Sequence, residues 1–248
     1  MGIGEDGERL PGGNVGGAWR VGDTVRRTPG PWTPAVHALL EYLGPRLDHV
    51  PAVLGYDERG REVLSYLPGH LVDIDTETLT EPQLDSLLAW TRSFHAAVAG
   101  FRHPGPWRFF DVGVTTLVAH NDLAPYNVCF DGDALVGVFD WDFAGPSTPL
   151  LELAFIAWNC VPLWRDVGAA LAARRLQRIA AGYGSIAAID ILQAVPSRIE
   201  VMLDGIPPAA AAGDQGMANL ISAGEPGRSR AALADLLRRM PSIAARLA

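Results

Sequence analysis

Lysine is absent from all 248 residues, so the 20 cationic side chains are all arginines. This excludes a Walker-type phosphate loop, which needs Gly-Lys followed by Ser or Thr. Cysteine is scarce. Cys129 and Cys160 form neither a CxxC pair nor a secreted disulfide framework, and they read as buried thiols of a reducing compartment. No apolar run is long enough to cross a bilayer, so no membrane partner is expected. Residues 1–11 are polar and Gly-rich and lack the basic-then-apolar pattern of a signal peptide; a cytoplasmic location is the expectation. Cationic charge is also in deficit. A net charge of −8 disfavours non-specific nucleic-acid binding, which neutralises phosphates with basic side chains. No nucleic-acid partner is therefore expected, whereas a cationic small molecule is compatible.

What is present is globular. Hydrophobic residues make up 48% of the chain and charged residues 19%, which places it outside the disordered class. The length suits one large domain or two small lobes. Residues 12–17, which include Gly13 and Gly16, form a Gly-rich turn. Residues 18–21 and 24–27 read as a hairpin turning at Gly22-Asp23. Pro34 after Thr33 opens a helix whose apolar face is Val36, Leu39, Leu40 and Leu43. Residues 53–56 and 61–66 are two more strands around a turn at 57–60. Leu67-Pro68-Gly69 breaks the pattern as a hinge. Helical texture follows, with Leu84, Leu87, Leu88, Thr91, Phe94 and His95 on one face. A hairpin over 128–130 and 134–139 turns at Asp131-Gly132-Asp133, and from Leu150 onward the chain reads as helices. Residues 207–213 read as a Pro/Ala loop or frayed helix. His95 is expected to be a core histidine, and Trp158 and Trp164 to pack between helices.

One segment carries chemistry. His120-Asn121-Asp122 is followed by Asn127 five residues after the Asp, then by an apolar strand and Asp140-Trp141-Asp142. Phosphoryl transfer needs this set. A hydroxyl nucleophile needs a carboxylate to orient it and accept its proton. Nucleotide phosphates need neutralising, and Mg²⁺ takes hard oxygen ligands such as an Asn carbonyl and an Asp carboxylate. Asp122 is then the base, with His120 bracing its loop, and Asn127 and Asp140 are the metal ligands. A metal hydrolase uses the same residue types, but the sequence lacks a second His cluster.

The string His-Asn-Asp-Leu-Ala-Pro-Tyr-Asn followed by Phe-Asp-Trp-Asp-Phe-Ala resembles aminoglycoside phosphotransferases and choline kinases, of the protein-kinase-like superfamily. It does not resemble Ser/Thr protein kinases, which show His-Arg-Asp and Asp-Phe-Gly. A looser similarity to trifolitoxin immunity proteins is a secondary clue. The resemblance implies an α+β, two-lobed protein-kinase-like fold: a small β-rich N-lobe with one helix over residues 1–67, and a larger, mainly helical C-lobe over 68–248. It implies ATP or GTP as phosphoryl donor, with Mg²⁺, and a small-molecule hydroxyl acceptor such as an aminoglycoside-like antibiotic. Leu151-Glu152-Leu153-Ala154 is similar to the family's Asp-Leu-Ala segment, whose acid supports the catalytic loop from below. Glu152 is longer than the usual Asp.

The resemblance also implies a strand lysine that holds the α/β-phosphates and pairs with a helix Glu. Arg27 falls where that lysine would be, or is a surface strand residue; Arg and Lys are not equivalent. Glu41, one turn beyond His37, is the expected helix partner. Residues 12–17, with Gly13 and Gly16, are either a phosphate-covering loop or a plain turn. Ser65, Tyr66 and Leu67 are expected to present backbone groups to the nucleotide base. Two rivals stay open: an immunity or binding protein that has lost transfer, and a hydrolase that uses water on the nucleotide.

Overall fold

The computed structural model describes residues 7–10, 17–74 and 76–247. Gly13 and Gly16 lie outside the described residues. Of the Gly-rich turn only Gly17 is described, with a left-handed φ of +79°.

The first lobe is an antiparallel sheet of five strands in the order β1-β2-β3-β5-β4. These are β1 (Glu8–Arg9), β2 (Ala18–Val21), β3 (Thr24–Arg27), β4 (Val53–Tyr56) and β5 (Glu62–Ser65). The hairpin at Gly22-Asp23 has its expected register, with Val21 opposite Thr24 and Ala18 opposite Arg27. Gly22 takes a φ of +61°, which a tight turn requires and a residue with a Cβ resists. Helix α1 (Thr33–Leu43) starts with Pro in its first turn, where a missing N–H costs nothing. It buries Val36, Leu39, Leu40 and Leu43.

The rest of the chain follows Leu67-Pro68-Gly69. Strand β6 (His70–Leu71) pairs with β8 (Val128–Asp131), which pairs in turn with β9 (Ala134–Val138). Between them come α2 (Glu81–Val98) and β7 (Leu117–Ala119), and β7 pairs with β10 (Gly145–Ser147). Thr80 and Gln83 close α2 with a capping box: the Gln83 N–H bonds the Thr80 hydroxyl, and the Thr80 N–H bonds the Gln83 side chain. The rest is helical: α3 (Pro149–Cys160), α4 (Ala169–Tyr183), α5 (Ala188–Ala211), α6 (Gln215–Ser222) and α7 (Glu225–Ala244). This is the expected two-lobed kinase-like fold.

The stretch 207–213 is not a loop. Helix α5 runs through Pro196, Pro207 and Pro208 to Ala211. Each proline removes one helical donor, but buried Ile199, Leu203 and Ile206 anchor the helix to its neighbours, and that packing outweighs the lost bonds. Both cysteines are free and buried. A continuous apolar core runs from Val36 of α1 to Ile243 of α7, with Trp141 fully buried at its centre, edge-on to Phe94. Helix α1 therefore fastens the first lobe to the second. Among the described residues no helix is long and apolar enough to cross a membrane.

Candidate active site

Strand β7 delivers the chain into His120-Asn121-Asp122, and the loop is held from three sides. Below it lies Glu152 of α3, fully buried. Its two carboxylate oxygens accept the backbone N–H groups of His120 at 2.8 Å and Asn121 at 3.0 Å. The longer acid thus reaches both donors. Asn121 adopts a left-handed φ of 61° and donates its side-chain amide to the carbonyls of Phe143 and Gly145. From α5, Arg198 donates to the Asn121 carbonyl at 2.6 Å while its guanidinium lies over the rings of Phe109 and Phe155.

His120 is fully buried and acts inside the loop. Its Nε2 lies 3.0 Å from the Phe139 carbonyl, an acceptor, so Nε2 carries the proton. Nδ1 then accepts the Asp122 N–H at 3.3 Å. Burial lowers the imidazole pKa, against the pull of Glu152, which favours the neutral ring this arrangement needs.

Asp122 faces the cleft. Asn127, from a 3₁₀ turn at Pro125–Asn127, donates its amide nitrogen both to the Asp122 carbonyl at 2.9 Å and to its carboxylate at 2.8 Å. Tyr126 donates to the same carboxylate at 3.2 Å. Burial, and then the charge of Asp140, push the Asp122 carboxyl up to about 8; the bonds from Asn127 and Tyr126 and the charge of Arg198 oppose that rise.

Asp140 ends β9 in a left-handed conformation, φ 58°. This turn aims its carboxylate outward, and the side chain is 42% exposed. Burial and the neighbouring Asp142 raise its pKa, while Arg27 pulls it down. Arg27, at the end of β3, reaches across the cleft to Asp140 at 3.3 Å and Asp142 at 2.7 Å. Arg108 approaches Asp142 from the other side at 3.5 Å.

Arg27 is not a surface strand residue: its side chain is 16% exposed and lines the cleft. Its acid partner is not Glu41. Glu41 is exposed on α1, whereas Glu62 of β5, 1% exposed, lies 2.6 Å from the Arg27 Nε. The sheet register causes this by placing Arg27 opposite Glu62. Helix α1 contributes His37 instead, whose Nε2 is 2.9 Å from the other Glu62 oxygen. Burial alone would lower the Arg27 pKa, but the charges of Asp142, Glu62 and Asp140 together raise it.

Ser65, the last residue of β5, and Tyr66 and Leu67 after it line the same cleft, with the Tyr66 ring under the Arg20 guanidinium. The cleft has a volume of about 1090 Å³. His95 is buried and bonds the Tyr183 hydroxyl, with its Nε2 3.7 Å from Glu152. Trp158 and Trp164 pack against the core and also face the cleft.

Residues 113–189 match the phosphotransferase enzyme family. The matched segment contains His120, Asp122, Asn127, Asp140 and Glu152. A trifolitoxin immunity protein of Rhizobium leguminosarum bv. trifolii is 34% identical over 167 residues, which are 63% of this chain and 63% of that relative. The aligned region thus spans less than two thirds of either protein. In fold the chain is similar to aminoglycoside phosphotransferases. A gentamicin–APH(2")-IIa complex superposes with a TM-score of 0.57 at 15% identity, covering 95% of this chain and 92% of that one. A GDP complex of an aminoglycoside 2'-phosphotransferase-IIIa mutant gives 0.57 at 16% identity, covering 89% and 90%.

Four residues escaped the sequence reading of the site: Glu62, Arg108, Arg198 and the bonding role of His37. Glu62 and Arg198 did leave a signal. Glu62 alternates with Leu64 on the inward face of β5, and Arg198 stands on the apolar α5 face formed by Ile191, Val195 and Ile199. A charge on a core-facing position needs a partner.

Proposed function

We propose that this chain is a phosphotransferase that moves the γ-phosphoryl group of ATP or GTP to a hydroxyl of a small molecule. The observation that carries this reading is Asp122: a cleft carboxylate, oriented by two bonds from Asn127, with its pKa pushed up to about 8. A base poised near neutrality suits proton abstraction from an alcohol. Asp122 takes the hydroxyl proton as the acceptor oxygen bonds the γ-phosphorus; the bond from that phosphorus to the β–γ bridging oxygen breaks, and the nucleoside diphosphate leaves.

Asn127 and Asp140 suit Mg²⁺. The Asn127 amide nitrogen is committed to Asp122, which leaves its carbonyl oxygen as a hard donor, and the Asp140 carboxylate is open to the cleft. Among the described residues no three His, Cys, Asp or Glu side chains gather into a protein-only cage. That matches an ion that keeps water and phosphate oxygens in its shell. When bound, Mg²⁺ would neutralise the phosphate charge. Arg27 would hold the α/β-phosphates, Ser65 to Leu67 would receive the base, and the lobes would divide at 67/68. That fold neighbours are complexes with GDP or ATP supports a nucleotide as donor.

A second reading is an immunity or binding protein on the same fold with little or no transfer. The absence of lysine and the 34% identity to an immunity protein favour it. A transfer screen with radiolabelled ATP and GTP against hydroxyl acceptors separates the two, with the Asp122→Asn variant as control. Asp122→Asn should keep nucleotide binding and lose transfer by about a hundredfold or more. Mg²⁺-dependent nucleotide binding without transfer to any acceptor would favour the immunity reading.

A further inference from the structure

Resting on the phosphotransferase reading, we propose that the acceptor end of the cleft takes a hydroxyl-bearing molecule with an extended apolar body and at most one positive charge, not a polycation. At about 1090 Å³ the cleft exceeds what a single drug-sized ligand fills, so it has room for donor and acceptor together. The helical part of the chain gives this cleft further walls: Trp158 of α3, Trp164, Ile199, Met202 and Leu203 of α5, and Leu220 of α6. Such a wall gains free energy by removing apolar surface from water, and its methionine, Met202, adapts to an irregular apolar shape.

Charge points the same way. A polycation needs several unclaimed carboxylates, because an ammonium group buried without a partner loses its hydration uncompensated. Among the described residues four carboxylates line the cleft, and each is already engaged. Arg27 holds Asp140 and Asp142. Asn127 and Tyr126 hold Asp122. Arg228 holds Glu225 at 2.7 Å, and the Ser229 hydroxyl donates to its other oxygen. Arg27, Arg108 and Arg228 line the same cleft, so its walls are close to charge balance. The Trp164 ring already carries the Arg165 guanidinium at 4.9 Å, so of the two indoles only Trp158 is left to accept a cation without a carboxylate, which sets the limit at one charge.

Nile red, uncharged and fluorescent in apolar sites, tests this on the full chain. n-Octyl β-D-glucoside below its micelle concentration serves as hydroxylated apolar competitor, gentamicin as polycationic competitor. The dye should bind saturably, be displaced by the glucoside but not by gentamicin, and keep its affinity from low to high salt. Met202→Glu and Leu220→Glu, partly exposed positions on separate helices, should each weaken the dye by about tenfold or more. A fluorescent ADP analogue should bind both variants as it binds the parent, which shows that they fold. Displacement by gentamicin, or unchanged dye binding in both folded variants, would overturn the proposal. Failure of the parent to bind the ADP analogue would overturn the phosphotransferase reading and leave the apolar compartment standing.

Discussion

Arg27 and Glu62 stand opposite each other in the β3–β5 register and meet at 2.6 Å, Nε to Oε1. The contact is a close charge pair inside the sheet, and His37 of α1 completes it on the other Glu62 oxygen. A strand pair thus stands where the family resemblance implies a strand–helix pair. The acid does not depend on the position of α1, only on the sheet. Both partners are largely buried, so removing one leaves an uncompensated charge. Glu62→Ala should destabilise the protein by about 3 kcal/mol, the low end for a broken buried pair, because Arg27 keeps Asp140 and Asp142. Urea denaturation measures it. A loss within about 0.5 kcal/mol, the range of ordinary surface substitutions, would show that the pair is solvated.

The Asp122 carboxyl makes a pH-dependent prediction for the metal-free protein. Its folded pKa, about 8, lies above the unfolded value of about 3.9. Between these values the folded state holds a proton that the unfolded state has released. Stability must therefore fall as pH rises across that window and level off above it. Relative to Asp122→Asn, the parent should lose stability as pH rises from about 4 to about 8, by at most about 1.4 kcal/mol per pH unit. Denaturation of both proteins in chelator across this range provides the comparison. Parallel curves would mean that Asp122 titrates as an ordinary exposed acid.

Glu152 gives a test of loop support that does not touch the reacting atoms. Glu152→Ala leaves the N–H groups of His120 and Asn121 buried without acceptors, at about 1–3 kcal/mol each. Glu152→Gln keeps one acceptor oxygen and should fall between the alanine variant and the parent. Thermal denaturation should rank the three in that order. Equal stability for Gln and Ala would mean that the carboxylate charge, not the two bonds, supports the loop.

The Asp122 loop was legible because its residues are local: Asp122, Asn127 and Asp140 sit at fixed spacing, and the hairpin of β8 and β9 fixes the distance between Asn127 and Asp140. The hairpin turns at 22–23 and 131–133 were legible for the same reason. The Arg27 partner was not. The expectation placed an acid on α1 at helical spacing, but the pairing depends on which strands neighbour each other, and β3 sits beside β5 only once the sheet is assembled. Arg198 and Arg108 were hidden likewise, since each meets its partners only where distant segments pack together. The prolines of α5 left loop and frayed helix both open, because local propensity opposes a helix there, and the buried face of the helix decided the outcome.

On the proposed phosphotransferase reading, Arg27 is the phosphate contact of a chain that has no lysine. In the ligand-free site it neutralises Asp140 and Asp142, so an incoming metal ion must compete with a guanidinium for Asp140. Arg27→Ala should therefore have two opposed effects. It removes a phosphate contact worth up to a few kcal/mol, as for a charge-assisted hydrogen bond left unmade. It also frees Asp140, which should strengthen Mg²⁺ binding in the absence of nucleotide. Arg27→Lys keeps the charge on a single compact group, which cannot reproduce the fork spanning Glu62, Asp140 and Asp142. Its nucleotide affinity should lie between those of the parent and Arg27→Ala. Calorimetric titration of the three proteins, with Mg²⁺ alone and with nucleotide and Mg²⁺, measures both effects. Nucleotide bound equally by all three would limit Arg27 to tying the acids together, and the phosphates would then be held by the metal and backbone groups of the first lobe.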